Sequence, residues 1–379
     1  MIIGIIKEVQ KYESRVPITP EIVKKLLKYE HSVIIESGSG DKSFYSDSLY
    51  KNAGAKIVES PAEVLKGSDI LFKVNPPSEN EIKQIKSNST VVSFFQIKDE
   101  VKNIPYYINS KLSILSMSHV PRTTLAQNMD ALSSQSNIAG YKATIIGADH
   151  ISKYMPLLMT AAGTIKPSKV LILGAGVAGL AAIANAKRMG AQVYAFDVRP
   201  VVKEQVESLG ANFIEVESNS DEGVGEGGYA KEVSDDYKQK QAELINETIK
   251  SMDIIISTAL IPEKPAPILI SKEMVESMQP GSAIIDLAAV NGGNCELTKC
   301  DEIVSHKDVI IDGRSYLPST MAQDASQLYA KNLFNLFNHI YNGENPLNLE
   351  DEITNGSLIL NNGEVNNEIL SKFLEKEQK

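Results

Sequence analysis

The hydrophobic positions of the first 120 residues form short runs separated by stretches with helical periodicity. The β-branched runs predict strands at residues 2–6, 33–35, 56–58, 70–74, 91–95 and 113–116. The first helix is predicted to open at Thr19-Pro20-Glu21, because Thr is a common N-cap and Pro suits the first helical position. Strands that alternate with helices indicate βαβ units and a parallel sheet.

A second alternation follows a longer helical pattern at residues 130–152. Its apolar runs predict strands at residues 170–173, 192–196, 213–216, 254–257, 283–286 and 309–311. Two successive βα alternations therefore predict an α/β protein of two Rossmann-like domains with parallel sheets, separated by a cleft.

The last 60 residues contain a long amphipathic helix and a hairpin. Residues 321–341 have helical periodicity, and the side chains predicted to lie on the apolar side are Leu328, Leu333, Leu336, Phe337 and Ile340. Asn361-Asn362-Gly363 predicts the turn of a hairpin, followed by a charged, fraying end. Because the long helix is expected to pack on the first domain, the predicted domains are residues 1–130 with about 312–379, and residues 131–311.

Composition narrows the functional class. The 379 residues are 42% hydrophobic, enough for two cores, and 38 Lys and Arg against 48 Asp and Glu give a net charge of −10. This acidity argues against non-specific binding of nucleic acid or of an anionic membrane surface. The two cysteines, Cys295 and Cys300, predict neither a disulfide framework nor a metal site and favour a reducing compartment. The uncharged stretch at residues 170–186 is interpreted as a strand, a turn and a helix rather than a membrane span.

The strongest chemical signal is the GAGVAG sequence at residues 174–179, between a predicted strand and an alanine-rich helix. In a dinucleotide site, Gly174 permits the tight turn, Gly176 lets the backbone approach the pyrophosphate, and Gly179 allows close helix–strand packing. Unpaired N–H groups at the start of the helix favour phosphate. The predicted site residues here are Gly174, Ala175, Gly176, Val177, Ala178 and Gly179.

Asp197 ends the next predicted strand, where an acid accepts hydrogen bonds from the adenosine ribose. A 2′-phosphate would meet like charge there, which favours NAD(H) over NADP(H). Arg199, two residues on, weakens that discrimination because an Arg accommodates the phosphate. Asp197, Val198 and Arg199 complete this part of the predicted site.

Residues 218–232 hold four glycines and four acidic residues around Tyr229. Composition leaves two interpretations open: a flexible linker, or a mobile lid whose aromatic side chain closes over a ligand.

Several separated motifs resemble one family. The segment PRTTLAQNMDALSSQSN at residues 121–137 resembles the Arg–Gln–Asp loop region of the NAD(H)-binding component, the alpha subunit, of proton-translocating transhydrogenase. GAGVAG and the Asp197-Val198-Arg199 sequence agree, and so do MTAAGT, GGYAKE, TALIP, IDLA and GGN at residues 159–164, 227–232, 258–262, 285–288 and 292–294. The match runs from residue 1 to about 340.

The resemblance implies a role for particular residues in direct hydride transfer. Asp130 and Ser133 would hold the carboxamide and ring of NAD(H), Gln127 would reach towards NADP(H) on a partner, and Arg122 would contact the nicotinamide end. Tyr229 would close over the adenosine part, and Thr258, Ala259 and Leu260 would also line the cofactor. From sequence alone, Asp130 is equally an ordinary helix N-cap.

The family also implies partners that this chain does not contain. They are a membrane-embedded proton-channel subunit and an NADP(H)-binding subunit, so the chain is expected to be a soluble homodimer on the cytoplasmic, inner face of the plasma membrane, catalytic only with these subunits.

Alanine dehydrogenase shares this fold and is the alternative enzyme. Arg15 and Lys73 align with its carboxylate-binding Arg and catalytic Lys, although both could be buried ion-pair partners. Gln96 stands where its catalytic His is expected, and Val290 where its second Asp is expected. Since amine oxidation needs a proton acceptor, these differences favour transhydrogenase. A non-catalytic NAD(H)-binding module is the third possibility.

Overall fold

The computed structural model describes residues 1–216, 234–261, 264–341 and 346–377. The fold is α/β, as predicted, with mostly parallel sheets. Contacts divide the chain into a first unit, residues 1–135 with 319–379, and a second unit, residues 136–318. The boundary between the units falls within one long helix.

The first unit is built on an eight-stranded sheet. Its strands are β1 (Ile2–Ile5), β2 (Ser32–Glu36), β3 (Lys56–Val58), β4 (Ile70–Phe72), β5 (Thr90–Ser93), β6 (Ser113–Ser116), β16 (Leu358–Asn361) and β17 (Glu364–Val365). The order is β17-β16-β6-β5-β4-β1-β2-β3, parallel from β6 to β3 and antiparallel where β16 pairs with β6 and β17.

Helices cover both faces of this sheet. They are α1 (Pro20–Lys28), α2 (Asp47–Ala53), α3 (Pro61–Gly67), α4 (Glu79–Ile82), α5 (Ile97–Glu100), α6 (Ile104–Asn109), α12 (Ala322–Tyr341), α13 (Glu352–Ser357) and α14 (Glu368–Glu377). Successive residues of β4 point to opposite faces: Ile70 and Phe72 join the core beneath α1 and α12, and Leu71 joins the core beneath α3 and α6. Burial on both faces explains why this strand is a continuous apolar run.

The second unit has a seven-stranded sheet and a separate hairpin. The sheet strands are β9 (Lys169–Leu173), β10 (Gln192–Phe196), β11 (Asn212–Ile214), β12 (Ile254–Ser257), β13 (Ala283–Asp286), β14 (Ile303–His306) and β15 (Val309–Asp312), in the order β11-β10-β9-β12-β13-β15-β14. Only β14 is antiparallel within the described sheet. The hairpin pairs β7 (Leu158–Thr160) with β8 (Gly163–Ile165).

The helices of this unit are α7 (Ala131–His150), which begins in the first unit, α8 (Val177–Arg188), α9 (Lys203–Ser208), α10 (Asp235–Ile249) and α11 (Lys272–Ser277). Residues of α7 and α8 share one core with Val170 and Ile172, while α10 and α11 share the opposite core with Leu171 and Leu173. Parallel β9 therefore lies at the centre of a doubly covered sheet.

Some predicted elements differ from the observed ones. The strand expected at residues 213–216 is Asn212–Ile214. Leu328, predicted on the apolar side of the long helix, is 39% exposed, and Tyr329 is buried instead. The end expected to fray forms α14, because Leu370 is buried and Phe373 packs against the same core one turn later. No helix within the described ranges is long and apolar enough to cross a membrane.

Candidate functional site

The turn between β9 and α8 has a different requirement at each glycine. Gly174 has φ +97°, which favours glycine, and a Cβ there would lie 2.7 Å from Thr258 Oγ1. A Cβ on Gly179 would lie 1.9 Å from the Gly174 carbonyl oxygen, so the helix starts in close contact with the turn. A Cβ on Gly176 would meet nothing within 4 Å, which leaves room for a ligand against the backbone.

The start of α8 supplies the anion-binding groups. Gly176 is the N-cap, and the exposed Val177 opens the 12-residue helix. The first N–H groups of a helix have no intrahelical acceptor and sit at the positive end of the helix dipole. An open approach at Gly176 and these N–H groups together fit the pyrophosphate of a dinucleotide.

Asp197 follows β10 and closes the other side of the turn. Its Oδ2 accepts a hydrogen bond of 2.7 Å from the backbone N–H of Ala175. Arg199 Nε donates to Oδ1 at 2.8 Å and Nη2 donates to Oδ2 at 2.8 Å. These hydrogen bonds raise the pKa of Arg199 above its ordinary value. The sequence placed Asp197 at the strand end but could not show that Arg199 binds it.

The segment after β12 packs against the same turn. Thr258 Oγ1 donates to the Gly174 carbonyl at 2.9 Å. Ala259 N–H donates to Asn294 Oδ1 at 3.0 Å, and Asn294 Nδ2 donates to the Ala259 carbonyl at 2.9 Å. Leu260, the third predicted residue here, is exposed. Asn294 therefore fixes the backbone next to the glycine turn.

Asp286, at the end of β13, organises the Asn294 segment. Its buried carboxylate accepts hydrogen bonds from Ser257 Oγ and Thr298 Oγ1 and from the backbone N–H groups of Asn294 and Cys295. This segment belongs to the family-like motifs, but the motifs alone assigned it no function. Its signal in the sequence is an Asp at a strand end followed by Gly-Gly-Asn.

In the first unit, the Arg–Gln–Asp segment runs into α7. Asp130 lies directly before the helix; its Oδ1 accepts from Ser133 N–H at 2.8 Å and its Oδ2 accepts from Ser133 Oγ at 2.5 Å. The structure thus brings these two predicted residues together, in the arrangement of an N-cap. Arg122 and Gln127 are exposed, the latter in a 3₁₀ turn at Gln127–Met129.

Helix α12 anchors this segment from below. Asn332 Nδ2 and Asn335 Nδ2 both donate to the Asn128 carbonyl, at 2.8 and 3.0 Å. Ala126 and Met129 are buried in the same core as α12. The backbone beside Gln127 is therefore held while its side chain faces solvent.

Arg15 and Lys73 each have carboxylate partners. Arg15 Nη2 binds Glu13 Oε2 at 2.7 Å, and Lys73 Nζ lies 3.5 Å from Glu8 Oε2 and 3.4 Å from Glu81 Oε1. Burial raises the pKa of Glu8. Gln96 is the N-cap residue of α5, and Val290 is exposed after β13.

Two further expectations concern the lid and metal ligands. Tyr229 lies outside the described residues, and so does the whole lid segment at residues 217–233. Among the residues that are described, no cluster of His, Cys, Asp and Glu could hold a metal ion.

Family models match both halves of the chain. The alanine dehydrogenase/PNT N-terminal domain matches residues 4–139, and the alanine dehydrogenase/PNT C-terminal domain matches residues 143–368. The chain belongs to the alanine dehydrogenase/PNT family. Within this family, the chain is 44% identical over 368 residues to the NAD(P) transhydrogenase subunit alpha of Haemophilus influenzae, covering 96% of this chain and 71% of that protein.

Other members of the family give the same picture. A Rhodospirillum rubrum protein that forms the first portion of an NAD(P) transhydrogenase subunit alpha is 43% identical over 96% of this chain and 97% of its own length. Alanine dehydrogenase 2 of Staphylococcus aureus is 31% identical over 81% of this chain and 77% of its own length. A solved transhydrogenase from Sinorhizobium meliloti superposes with a TM-score of 0.87 at 40% identity, covering 96% of this chain and all of that one.

Proposed function

We propose that this chain binds NAD(H) on its second unit and presents the nicotinamide for direct, stereospecific hydride transfer to or from NADP(H) on a partner subunit. The observation that carries the proposal is the Gly174–Gly179 turn, open at Gly176 and flanked by Asp197. The similarity to transhydrogenase alpha subunits supports this activity over others of the family.

The binding residues act mainly by position. The N-terminus of α8 holds the pyrophosphate, and Asp197 accepts hydrogen bonds from the adenosine ribose, with Val198 and Arg199 beside it. Thr258, Ala259 and Leu260 border the cofactor, and the hydrogen bonds of Asn294 fix their backbone. Tyr229 closes over the adenosine part.

The reactive end depends on the first unit. NAD(H) itself supplies or receives the hydride, so no side chain must remove a proton. Asp130 and Ser133, already hydrogen-bonded to each other, orient the carboxamide. Arg122 contacts the nicotinamide end and the exposed Gln127 reaches towards NADP(H). Their contribution is to place the reacting carbons about 3–3.5 Å apart and keep the site dry.

The full complex adds proton translocation. The chain acts as a homodimer, docked with an NADP(H)-binding subunit and a membrane-embedded proton-channel subunit on the cytoplasmic face of the plasma membrane. In line with this assignment, Arg15 and Lys73 are neutralised by the chain's own carboxylates.

The first experiment titrates the purified chain with NADH and assays NAD⁺ reduction with L-alanine. We expect NADH binding and no alanine-dependent turnover. Turnover with L-alanine would show an amino-acid dehydrogenase and contradict the proposal, and failure to bind NADH would contradict it as well.

Asp130→Asn tests the assigned role in hydride transfer. Asn caps helices as well as Asp, so α7 is expected to fold. The lost charge and altered hydrogen bond to Ser133 misplace the nicotinamide, and we expect transfer in the reconstituted complex to slow about ten- to hundredfold, with NADH affinity within a few-fold. Asp149→Asn, an exposed change on the same helix, is the matched control. A wild-type transfer rate in Asp130→Asn would exclude the role, and a non-catalytic NADH-binding module would show no transfer in any variant.

A further inference from the structure

The carboxylate of Asp197 is enclosed by donors. The side chain is only 5% exposed, and that of Arg199 is 14% exposed. Oδ1 accepts from the backbone N–H of Arg199 at 2.9 Å and from Arg199 Nε at 2.8 Å. Oδ2 accepts from Ala175 N–H at 2.7 Å and from Arg199 Nη2 at 2.8 Å.

These four hydrogen bonds use the acceptor capacity of the group, since an ionised carboxylate offers about four lone-pair sites. Two donors are backbone N–H groups fixed by the turn and by the end of β10. The other two belong to the guanidinium of Arg199, on a flexible side chain. A ribose diol needs two acceptor positions, and only the guanidinium can leave to provide them.

We propose that Arg199 is a specificity-determining residue that competes with the adenosine ribose for Asp197. The inference rests on the proposed function, because it requires NAD(H) at this turn. NAD(H) binding displaces the two guanidinium hydrogen bonds, which lowers its affinity. The displaced cation stays beside the ribose, where it weakens the repulsion between Asp197 and a 2′-phosphate. The Asp197–Arg199 pair, rather than Asp197 alone, then sets the preference for NAD(H) over NADP(H).

The same unit provides a matched control. Arg314 lies two residues after Asp312 at the end of β15, and repeats the pattern: its backbone N–H donates to Asp312 Oδ1 at 3.1 Å, and its Nε donates to Oδ1 at 2.9 Å. Arg314 Nη2 also binds Asp312 Oδ2. An Asp-x-Arg pair away from the glycine turn thus tests the general effect of removing such an Arg.

The experiment compares the wild-type chain with Arg199→Ala, Arg199→Lys and Arg314→Ala in titrations with NADH and with NADPH. The chain contains no Trp, so the fluorescence of each reduced nucleotide is followed without Trp emission. We expect Arg199→Ala to bind NADH at least about threefold more tightly and NADPH at least about threefold more weakly, because hydrogen bonds to a charged group are the stronger kind. Arg199→Lys keeps the charge without the two-armed geometry and is expected to be intermediate. Arg314→Ala is expected to match the wild type.

A crystal structure of the wild-type chain with NADH gives a readout independent of folding in the variants. We expect Arg199 Nε beyond hydrogen-bond distance of Asp197 Oδ1 and a ribose hydroxyl in its place. If the guanidinium keeps both hydrogen bonds, or if folded Arg199→Ala binds NADH no more tightly than the wild type, the inference is overturned and the proposed function stands. If neither the wild type nor Arg314→Ala binds NADH, the proposed function fails and the inference fails with it.

Discussion

At the scale of single residues, Glu13 has the most densely satisfied carboxylate within the described ranges of the first unit. Arg15 contributes a backbone N–H, Nε and Nη2, and Asn75 Nδ2 and Ser319 Oγ also donate to it. Burial alone would raise its pKa, but these donors outweigh burial and lower the pKa to about 2. Its ionised form is therefore favoured by folding.

Glu13→Gln is expected to destabilise the protein in a pH-dependent way. The contribution of Glu13 is fully present above its unfolded pKa of 4.5 and is lost as pH falls towards about 2. The difference in free energy of unfolding between wild type and variant, at most about 3 kcal/mol, should shrink on acidification. Urea unfolding from about pH 6 to about pH 3 measures it. Glu243→Gln, at an exposed position, is the control. A constant difference across this range would contradict the assignment; neighbouring Glu8, with a raised pKa, acts with the opposite sign in both proteins.

Sequence reasoning found the residues whose function depends on backbone geometry. The GxGxxG spacing identified Gly174, Gly176 and Gly179 before their contacts were known. The Asp197–Arg199 hydrogen bonds and the Asn294 clamp depend on side-chain rotamers and on segments distant in sequence. For that reason, spacing alone could not predict them.

At the scale of elements, α7 and the first turn of α8 approach unusually closely. A Cβ on Gly140 would lie 2.0 Å from the Ala178 carbonyl oxygen. We expect Gly140→Ala to cost about 1–3 kcal/mol of stability despite the higher helix propensity of Ala, because the backbones must separate. Chemical denaturation measures the cost. Gly67→Ala, in α3 with nothing within 4 Å of its new Cβ, is the control and is expected to be neutral or slightly stabilising. Equal stability of the two variants would show that the contact is not tight.

The strands that sequence predicted well are those buried on both faces. β4, β5, β6, β12 and β13 are continuous apolar runs because helices cover both sides. The hairpin β7–β8 was missed as structure because its residues are mostly exposed and show no alternation. β14 was missed for a similar reason, since it is a half-exposed antiparallel edge strand.

At the scale of the whole molecule, the β7–β8 hairpin bears on the proposed homodimer. Met159 is 75% exposed, and an isolated two-stranded hairpin is only marginally stable in water. We expect light scattering to give twice the monomer mass for the wild type and for Ile268→Asp, an exposed apolar position elsewhere. Met159→Asp is expected to shift the mass towards the monomer. An unchanged mass for Met159→Asp would place the dimer contact elsewhere, and a monomeric wild type would contradict the homodimer.

The discontinuity of the first unit has a consequence for biosynthesis. Residues 136–318, which hold the glycine turn, form a unit continuous in sequence, whereas residues 1–135 need α12, β16 and β17 to complete their sheet and core. Domains fold largely as units while the chain leaves the ribosome. The second unit can therefore be complete before the first one, which must wait with an uncovered sheet edge at β6. For this period the earliest-made segment of the chain is the segment most in need of a chaperone.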